Sequence, residues 1–314
     1  MGVAFVFPGQ GSQSIGMLAP LAAGAPVVRQ TFDAASAVLG YDLWQLTQEG
    51  PVEQLNSTEC TQPAMLAAGY ATWCAWQARG GALPDAVCGH SLGEFTALVA
   101  AGALDFAAAI ELVRYRGRVM QAAVPPGAGA MAAVIGLEDA QIEAACAEAA
   151  QGAVVEPVNY NSPGQVVIAG EAAAVERAIE AARARGARRA VLLPVSVPSH
   201  SSLMRGAAGQ LRERLEEVVI VAPRIPFFSA VDARVHAQPA DIRATLVTQL
   251  ASPVRWTATV RALLDASLAT VVECGPGKVL TSLNKRIDKR PGSAFLALED
   301  PASIDAALAA TKGE

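Results

Sequence analysis

No apolar stretch of the sequence approaches the roughly 20 residues a membrane span needs. The densest, Met65–Trp76, is only 12 residues long. No membrane partner is therefore expected, and a cytoplasmic location is. The first residues, MGVAFVFPGQG, lack the Lys/Arg cluster of a secretory leader, and their apolar run stops at Phe7 before Pro8, so no leader is expected. Val6 stands where N-myristoylation needs Ser or Thr. Cysteines are few: Cys60, Cys74, Cys88, Cys146 and Cys274 are odd in number, widely spaced and without a Cys-x-x-Cys pair. That pattern excludes a disulfide framework and a thiolate metal site, and leaves buried free thiols as the default. Basic charge is also scarce, with Lys+Arg 24 against Asp+Glu 29 and a net charge of −5. A nucleic-acid binder is normally basic, so no nucleic-acid partner is expected. Gly (27) and Pro (19) are too few for a low-complexity or collagen-like chain. What is abundant is apolar residue, 52% hydrophobic against 17% charged, which excludes disorder and provides for a large core. A length of 314 residues suits one large domain, or a large one with a smaller companion.

The chain order reads as α/β. Val3–Phe7 has the form of a buried strand ended by Pro-Gly, and the loop Pro8–Gly16 follows. Thr61–Arg79 reads as a helix, with Thr61 as cap, Pro63 in the first turn and Gly80 past the end. Ala86–Cys88 is strand-like, Leu92–Ala101 and Phe106–Gln121 helical. Between Pro125-Pro126-Gly127 and Pro194–Pro198 the rhythm changes to β-α-β-β-α-β: 129–135, 139–150, 154–158, 165–169, 172–185 and 189–193. That is the split βαβ, or ferredoxin-like, order. It predicts a small domain, 126–194, inserted into a larger α/β domain made of 1–125 and 195–314. After Ser201 the alternation resumes: a helix to Glu217, a strand near Phe227, helices 240–250 and 257–266, strand Val271–Cys274 and helix Lys278–Ile287. Alternation of this kind favours a mostly parallel sheet covered by helices.

The residues best placed for chemistry are Gly89-His90-Ser91-Leu92-Gly93, a GxSxG that follows a strand and opens a helix. A nucleophile elbow requires that context; the alternative is a Gly-rich turn with an N-capping Ser. A serine needs a base, and the sequence has 3 histidines. His90 adjoins the serine, and at an elbow its ring should point away. His236 lies in the polar, turn-like Asp232–Gln238 and should be exposed. His200, in Val195–His200 where a strand hands over to a helix, is the candidate base. No acid between Ser91 and His200 stands out as a third member, so a carbonyl or amide could orient the ring. The amide N–H of Leu92, directly after the serine, falls where an elbow builds its oxyanion hole. Two basic clusters stand out on a net acidic chain: Arg183, Arg185, Arg188 and Arg189, and Lys285, Arg286, Lys289 and Arg290. Each is either a docking patch or a solvated helix end.

These motifs come in a specific order: Phe7-Pro8-Gly9-Gln10-Gly11-Ser12-Gln13, Gly89–Glu94, Arg114-Tyr115-Arg116-Gly117, Asn159–Gln165, Pro198-Ser199-His200 and Gly275-Pro276-Gly277-Lys278. In that order they resemble the malonyl-CoA:acyl carrier protein transacylases, stand-alone acyltransferases of bacterial fatty-acid synthesis, from residue 3 to about 290. The resemblance implies a hydrolase-like core with a ferredoxin-like insertion, Ser91 as the acylated nucleophile, His200 as its base and Gln249 as its orienter. It implies an oxyanion hole from the amides of Gln10 and Leu92, and Arg116 as the partner of the malonyl carboxylate. Arg114 and Arg116 are two apart on a helix and face nearly opposite ways, so one can enter the site while the other should be solvated. The resemblance also places Arg188 and Arg189 by the phosphates of CoA; Lys285 and Arg286 are candidates for carrier docking. One departure is Ser252, where the family often has Asn; it affects a turn.

The activity implied is ping-pong malonyl transfer from malonyl-CoA to acyl carrier protein, by a monomer with no cofactor. The alternatives are an acyltransferase for another extender unit, such as methylmalonyl-CoA in polyketide synthesis, a serine esterase or thioesterase, and a non-catalytic carrier-binding protein. An esterase usually has an Asp or Glu on its histidine, and none is legible here.

Overall fold

The computed structural model describes residues 2–195 and 197–311; Ser196, within the Val195–His200 segment, and the end of the large-domain span lie outside them. The chain opens with β1 (Val3–Phe7), followed by α1 (Ala19–Gly24), α2 (Pro26–Leu39), α3 (Leu43–Glu49), α4 (Val52–Leu55) and the long α5 (Thr58–Ala78). Then come β2 (Ala86–Gly89), α6 (Gly93–Ala100) and α7 (Phe106–Ala122). The middle section is β3 (Gly129–Ile135), α8 (Asp139–Ala150), β4 (Val155–Ser162), β5 (Gln165–Glu171), α9 (Ala172–Ala184) and β6 (Arg189–Leu192). A short 3₁₀ turn, Ser202–Met204, runs into α10 (Arg205–Glu216), then β7 (Phe227–Ser229), β8 (Arg234–His236), α11 (Pro239–Gln249) and α12 (Trp256–Asp265). The described chain closes with β9 (Thr270–Cys274), α13 (Val279–Ile287), β10 (Ala294–Leu298) and α14 (Pro301–Thr311).

Two sheets result. The larger has the order β10-β9-β1-β2-β7-β8 and is parallel except for the antiparallel edge strand β8. The smaller has the order β4-β5-β3-β6, all antiparallel. The fold is α/β, a mostly parallel sheet with a small antiparallel one. Within the central strand, Phe5 and Phe7 enter the core on one face and Ala4 and Val6 the core on the other, because successive side chains alternate and both faces are covered. Trp73 and Trp76 of α5 meet the edge of Phe5 at 5.6 and 5.1 Å between ring centres.

In the smaller sheet, Ala132 and Val134 pack against α8 and α9, while Met131 joins Val158, Val167 and Ala169 on the opposite face. That second face turns toward the large sheet. The sheet is tied down by β4, where Tyr160 N–H donates to the Val254 carbonyl and Val254 N–H to that of Val158, each at 2.9 Å.

Helix α5 starts at Thr58, three residues before the expected cap, so Pro63 lies inside it. A proline that early removes only one bond of the ladder, and Thr61 turns its hydroxyl back to the Leu55 carbonyl at 2.6 Å. His236 is a second correction. It ends a short strand instead of a turn, is half-buried, and its Nε2 stands 3.1 Å from Asp232 Oδ2. Among the described residues, no helix is long and apolar enough to cross a membrane.

Candidate active site

The GxSxG turn is forced by packing. A Cβ on Gly89 would lie 1.9 Å from the Gly93 backbone, and one on Gly93 would lie 2.0 Å from the Phe7 carbonyl oxygen. Only glycine lets β2, the start of α6 and the end of β1 approach so closely. Between them Ser91 is held at φ 53°, in the left-handed region that side chains avoid. His200 is also held there, at φ 66°.

These two strained residues meet. His200 Nε2 is 2.7 Å from Ser91 Oγ, and Nδ1 is 2.8 Å from the backbone carbonyl of Gln249. A carbonyl only accepts, so Nδ1 carries the hydrogen and Nε2 offers its lone pair to the serine hydroxyl. The orienter is therefore a neutral carbonyl at the end of α11. Burial, and after it the Arg116 cation, push the His200 pKa down to about 3, so the ring is neutral at physiological pH.

Arg116 enters from α7. That helix lies close on the first turn of α5 because Gly117 faces the Thr58 carbonyl, which a Cβ would approach to 2.6 Å. Arg116 is 1% exposed. Nη1 donates to Gln62 Oε1 at 2.9 Å; Nη2 donates to Gln249 Oε1 at 2.8 Å and to Ser91 Oγ at 3.2 Å. Its Nε–H has no partner among the described residues. Burial lowers its pKa to about 10, which leaves it charged at neutral pH. Arg114 points the other way, as two-residue spacing requires, but it is not simply solvated. It donates to Glu59 at 3.1 Å and to the Leu39 carbonyl, and lies over the Tyr41 ring.

A cavity of about 450 Å³ opens above these groups, lined by Gln10, Ser91, Leu92, Arg116, Met131 and His200, with Val197 and Ser199 beside the histidine. Among the described residues neither the Gln10 nor the Leu92 amide N–H donates to protein. The loop carrying Gln10 is held by Gln13, which accepts from Gly11 N–H at 2.7 Å and donates to Asn56 at 2.9 Å. His90 turns aside, as expected at an elbow, to Asn161 Oδ1 at 2.9 Å and the Trp256 ring.

The structure thus brings Ser91, His200, Gln249, Arg116, Gln10 and Leu92 together. It does not bring the basic pairs there. Arg188 and Arg189 are exposed at the start of β6, whose far end leads through Leu193 to the cavity wall. Lys285 is exposed in the last turn of α13, and Arg286 donates to Gln165 at 2.9 Å. Of the two clusters read from sequence, Arg183, Arg185 and Arg290 are ion-paired with Glu180, Glu148 and the pair Asp265 and Asp288. Sequence reasoning missed Gln62, which no motif marks, and Glu94, which lay in a quoted motif without a role. The Glu94 carboxylate is fully buried beneath Gln249.

The Acyl transferase domain family matches residues 4–293. A malonyl CoA-acyl carrier protein transacylase of Salmonella typhimurium is 55% identical over 306 residues, 97% of this chain and 98% of the relative. The crystal structure of an acyl carrier protein S-malonyltransferase from Vibrio cholerae superposes with a TM-score of 0.94 at 55% identity, covering 98% of this chain and all of that one. A malonyl-transacylase solved in complex with its type II PKS acyl-carrier protein superposes at 0.97, with 53% identity and 99% of this chain covered. The chain belongs to the acyl transferase domain family and, within it, to the malonyl CoA-acyl carrier protein transacylases.

Proposed function

We propose that this chain moves the malonyl group of malonyl-CoA to the phosphopantetheine thiol of an acyl carrier protein through an ester on Ser91, and so supplies fatty-acid chain extension. The observation that carries the reading is Arg116, a buried cation whose Nη2 lies 3.2 Å from the nucleophile and whose Nε–H is unpaired among the described residues. A carboxylated acyl group on Ser91 meets that fork with a complementary charge. An acetyl group leaves it unmatched.

In the first half-reaction His200 Nε2 takes the Ser91 proton as Oγ bonds to the thioester carbon. The oxyanion is received by the amides of Gln10 and Leu92. Collapse breaks the C–S bond, and His200 returns the proton to the departing CoA sulfur. In the second, the carrier thiol gives its proton to His200 and attacks the ester. Ser91 leaves and takes that proton back. The imidazolium formed in each step is disfavoured by Arg116 in the empty site. A malonyl carboxylate neutralises that cation, so the right substrate also strengthens the base. The Gln249 carbonyl holds the ring throughout. These steps draw on no metal or redox group.

The free cysteines, three of them buried, suit the reducing cytoplasm in which we place the enzyme. Arg188 and Arg189 are assigned to the phosphates of CoA, and Lys285 and Arg286 to the carrier. Intact mass after incubation with malonyl-CoA tests the reading. The native chain should gain one malonyl group and lose it when carrier thiol is added, and Ser91→Ala should gain none. Release of the acyl group to water without carrier would favour a thioesterase.

A further inference from the structure

Glu94 is a carboxylate that the acyl-transfer steps leave unused. It lies in the first turn of α6, three residues after Ser91, with no exposed surface. Oε1 accepts from the Ser229 hydroxyl at 2.9 Å and the Ala230 amide at 2.6 Å. Oε2 accepts from the Gln249 carboxamide nitrogen. The same nitrogen donates to the Ser91 carbonyl at 2.9 Å, and the carboxamide oxygen accepts from Arg116 at 2.8 Å. Every link has a direction. A carboxylate only accepts, and so does the Ser91 carbonyl, so Gln249 must turn its nitrogen to them and its oxygen to Arg116. Reversing the carboxamide would set donor against donor at Arg116.

We infer that Glu94 is a positioning residue that fixes the face Gln249 presents to Arg116, thereby aiming the guanidinium at the acyl carboxylate and setting the preference for carboxylated over uncharged acyl groups. The inference rests on the malonyl-transfer reading. It differs from a plain structural role, in which Glu94 only ties α6 to β7, because that role would affect all acyl groups alike.

Protonation has the same consequence as an amide at position 94. Burial pushes the Glu94 pKa up to about 7 against its hydrogen bonds and Arg116. The other titratable groups facing it are Arg116, which stays charged, and Cys88, whose thiol burial pushes far up. Near neutral pH Glu94 is therefore the member of this group that changes state. Protonated on Oε2, it puts a hydrogen where Gln249 also has one.

The test is the ratio of kcat/KM for malonyl-CoA to that for acetyl-CoA, read from CoA release in the first half-reaction. Groups common to both substrates, His200 included, cancel in this ratio. E94Q should lower it roughly tenfold or more, as expected for a mispaired buried donor, mainly through the malonyl KM, with acetyl kcat little changed. The wild-type ratio should fall from about pH 8 to about pH 6, and that of E94Q should be flat. An unchanged ratio in E94Q, or equal losses for both substrates, would overturn the inference. Should E94Q not fold, the wild-type profile decides, and a flat ratio overturns it. A wild type that transfers no malonyl defeats the proposed function instead; transfer with an unmoved ratio defeats only the role of Glu94.

Discussion

Arg116 carries a full charge where water barely reaches, and its surroundings explain how it is tolerated. Gln62, Gln249 and Ser91 accept its hydrogen bonds, and the nearest opposite charge, Glu94, is relayed through Gln249. None of these gives it a direct carboxylate partner, which fits the proposed role of Arg116 toward the substrate carboxylate. Truncation to Arg116→Ala should lower malonyl kcat/KM by about 3 kcal/mol, roughly two powers of ten, the usual cost of breaking a buried charge pair. Acetyl-CoA forfeits no such pair, so the malonyl-to-acetyl ratio should fall nearly as far. Paired half-reaction rates check this, and an unchanged ratio would mean that the arginine does not read the carboxylate. At this scale the sequence was most legible where chemistry narrows the choice. Ser91 stood out because a strand, two glycines and a helix enclose it, and His200 because there are only 3 histidines. Gln62 and Glu94 were not legible in role, since what they do depends on partners 54 and 155 residues away.

Short, mostly apolar runs such as β1, β2 and β9 could be read from the chain because both faces are buried, although β9 holds the polar Thr270 and Glu273. Helices α1, α3 and α4 could not, because at 6, 7 and 4 residues they are too short to show a period. Helix α2, at 14 residues, carries an apolar stripe that packs on α5, and sequence reasoning passed it over. Strands β8 and β10 are edges with incompletely buried side chains, so their pattern is weak. Helix α13 shows how one element depends on a buried group in another. Glu273 of β9, fully buried, accepts from the Leu280 and Thr281 amides at 3.0 and 2.7 Å and so caps the helix start. Burial nevertheless raises its pKa to about 7. A carboxylate raised from 4.5 to about 7 on folding contributes stability that is fully present below 4.5 and lost as pH rises through 7. Between about pH 6 and 8 one such group costs about 1 kcal/mol. Glu273→Gln removes that loss, while Glu94 and the histidines act equally in both proteins and cancel. Wild type should therefore lose about 1 kcal/mol more unfolding free energy than Glu273→Gln over this interval, by denaturant titration at the two ends. Parallel profiles would show that Glu273 stays ionised in the fold.

On the scale of the whole molecule, the small sheet completes the site. Its β4 pairs with the segment after α11, and Met131 on its inner face lines the cavity. The β-α-β-β-α-β order was legible because its elements are short, periodic and bounded by prolines; how that sheet closes over Ser91 was not, because single contacts such as Asn161 on His90 set it. The molecule must also receive a partner. Acyl carrier proteins are acidic and this chain carries a net −5, so the two repel on average and docking needs local cations. Ion pairing thins the basic clusters: among the described residues Arg188, Arg189, Lys285, Arg286 and Lys289 have no carboxylate partner. These fall on two sides. Arg188 and Arg189 begin the strand that leads to the cavity wall. Lys285 and Arg286 end α13, with Arg286 bridging to Gln165 of the small sheet. Reversal at both Lys285 and Arg286 should raise the KM for carrier severalfold at low salt and flatten its salt dependence, since each exposed charge mostly steers encounter. Acylation by malonyl-CoA should be nearly unchanged in that variant. Reversal at Arg188 and Arg189 should weaken the CoA half-reaction as well, because every CoA carries the same phosphates. Carrier KM in both double variants across a salt series distinguishes the two faces; if neither variant moves it at low salt, the carrier docks on another surface.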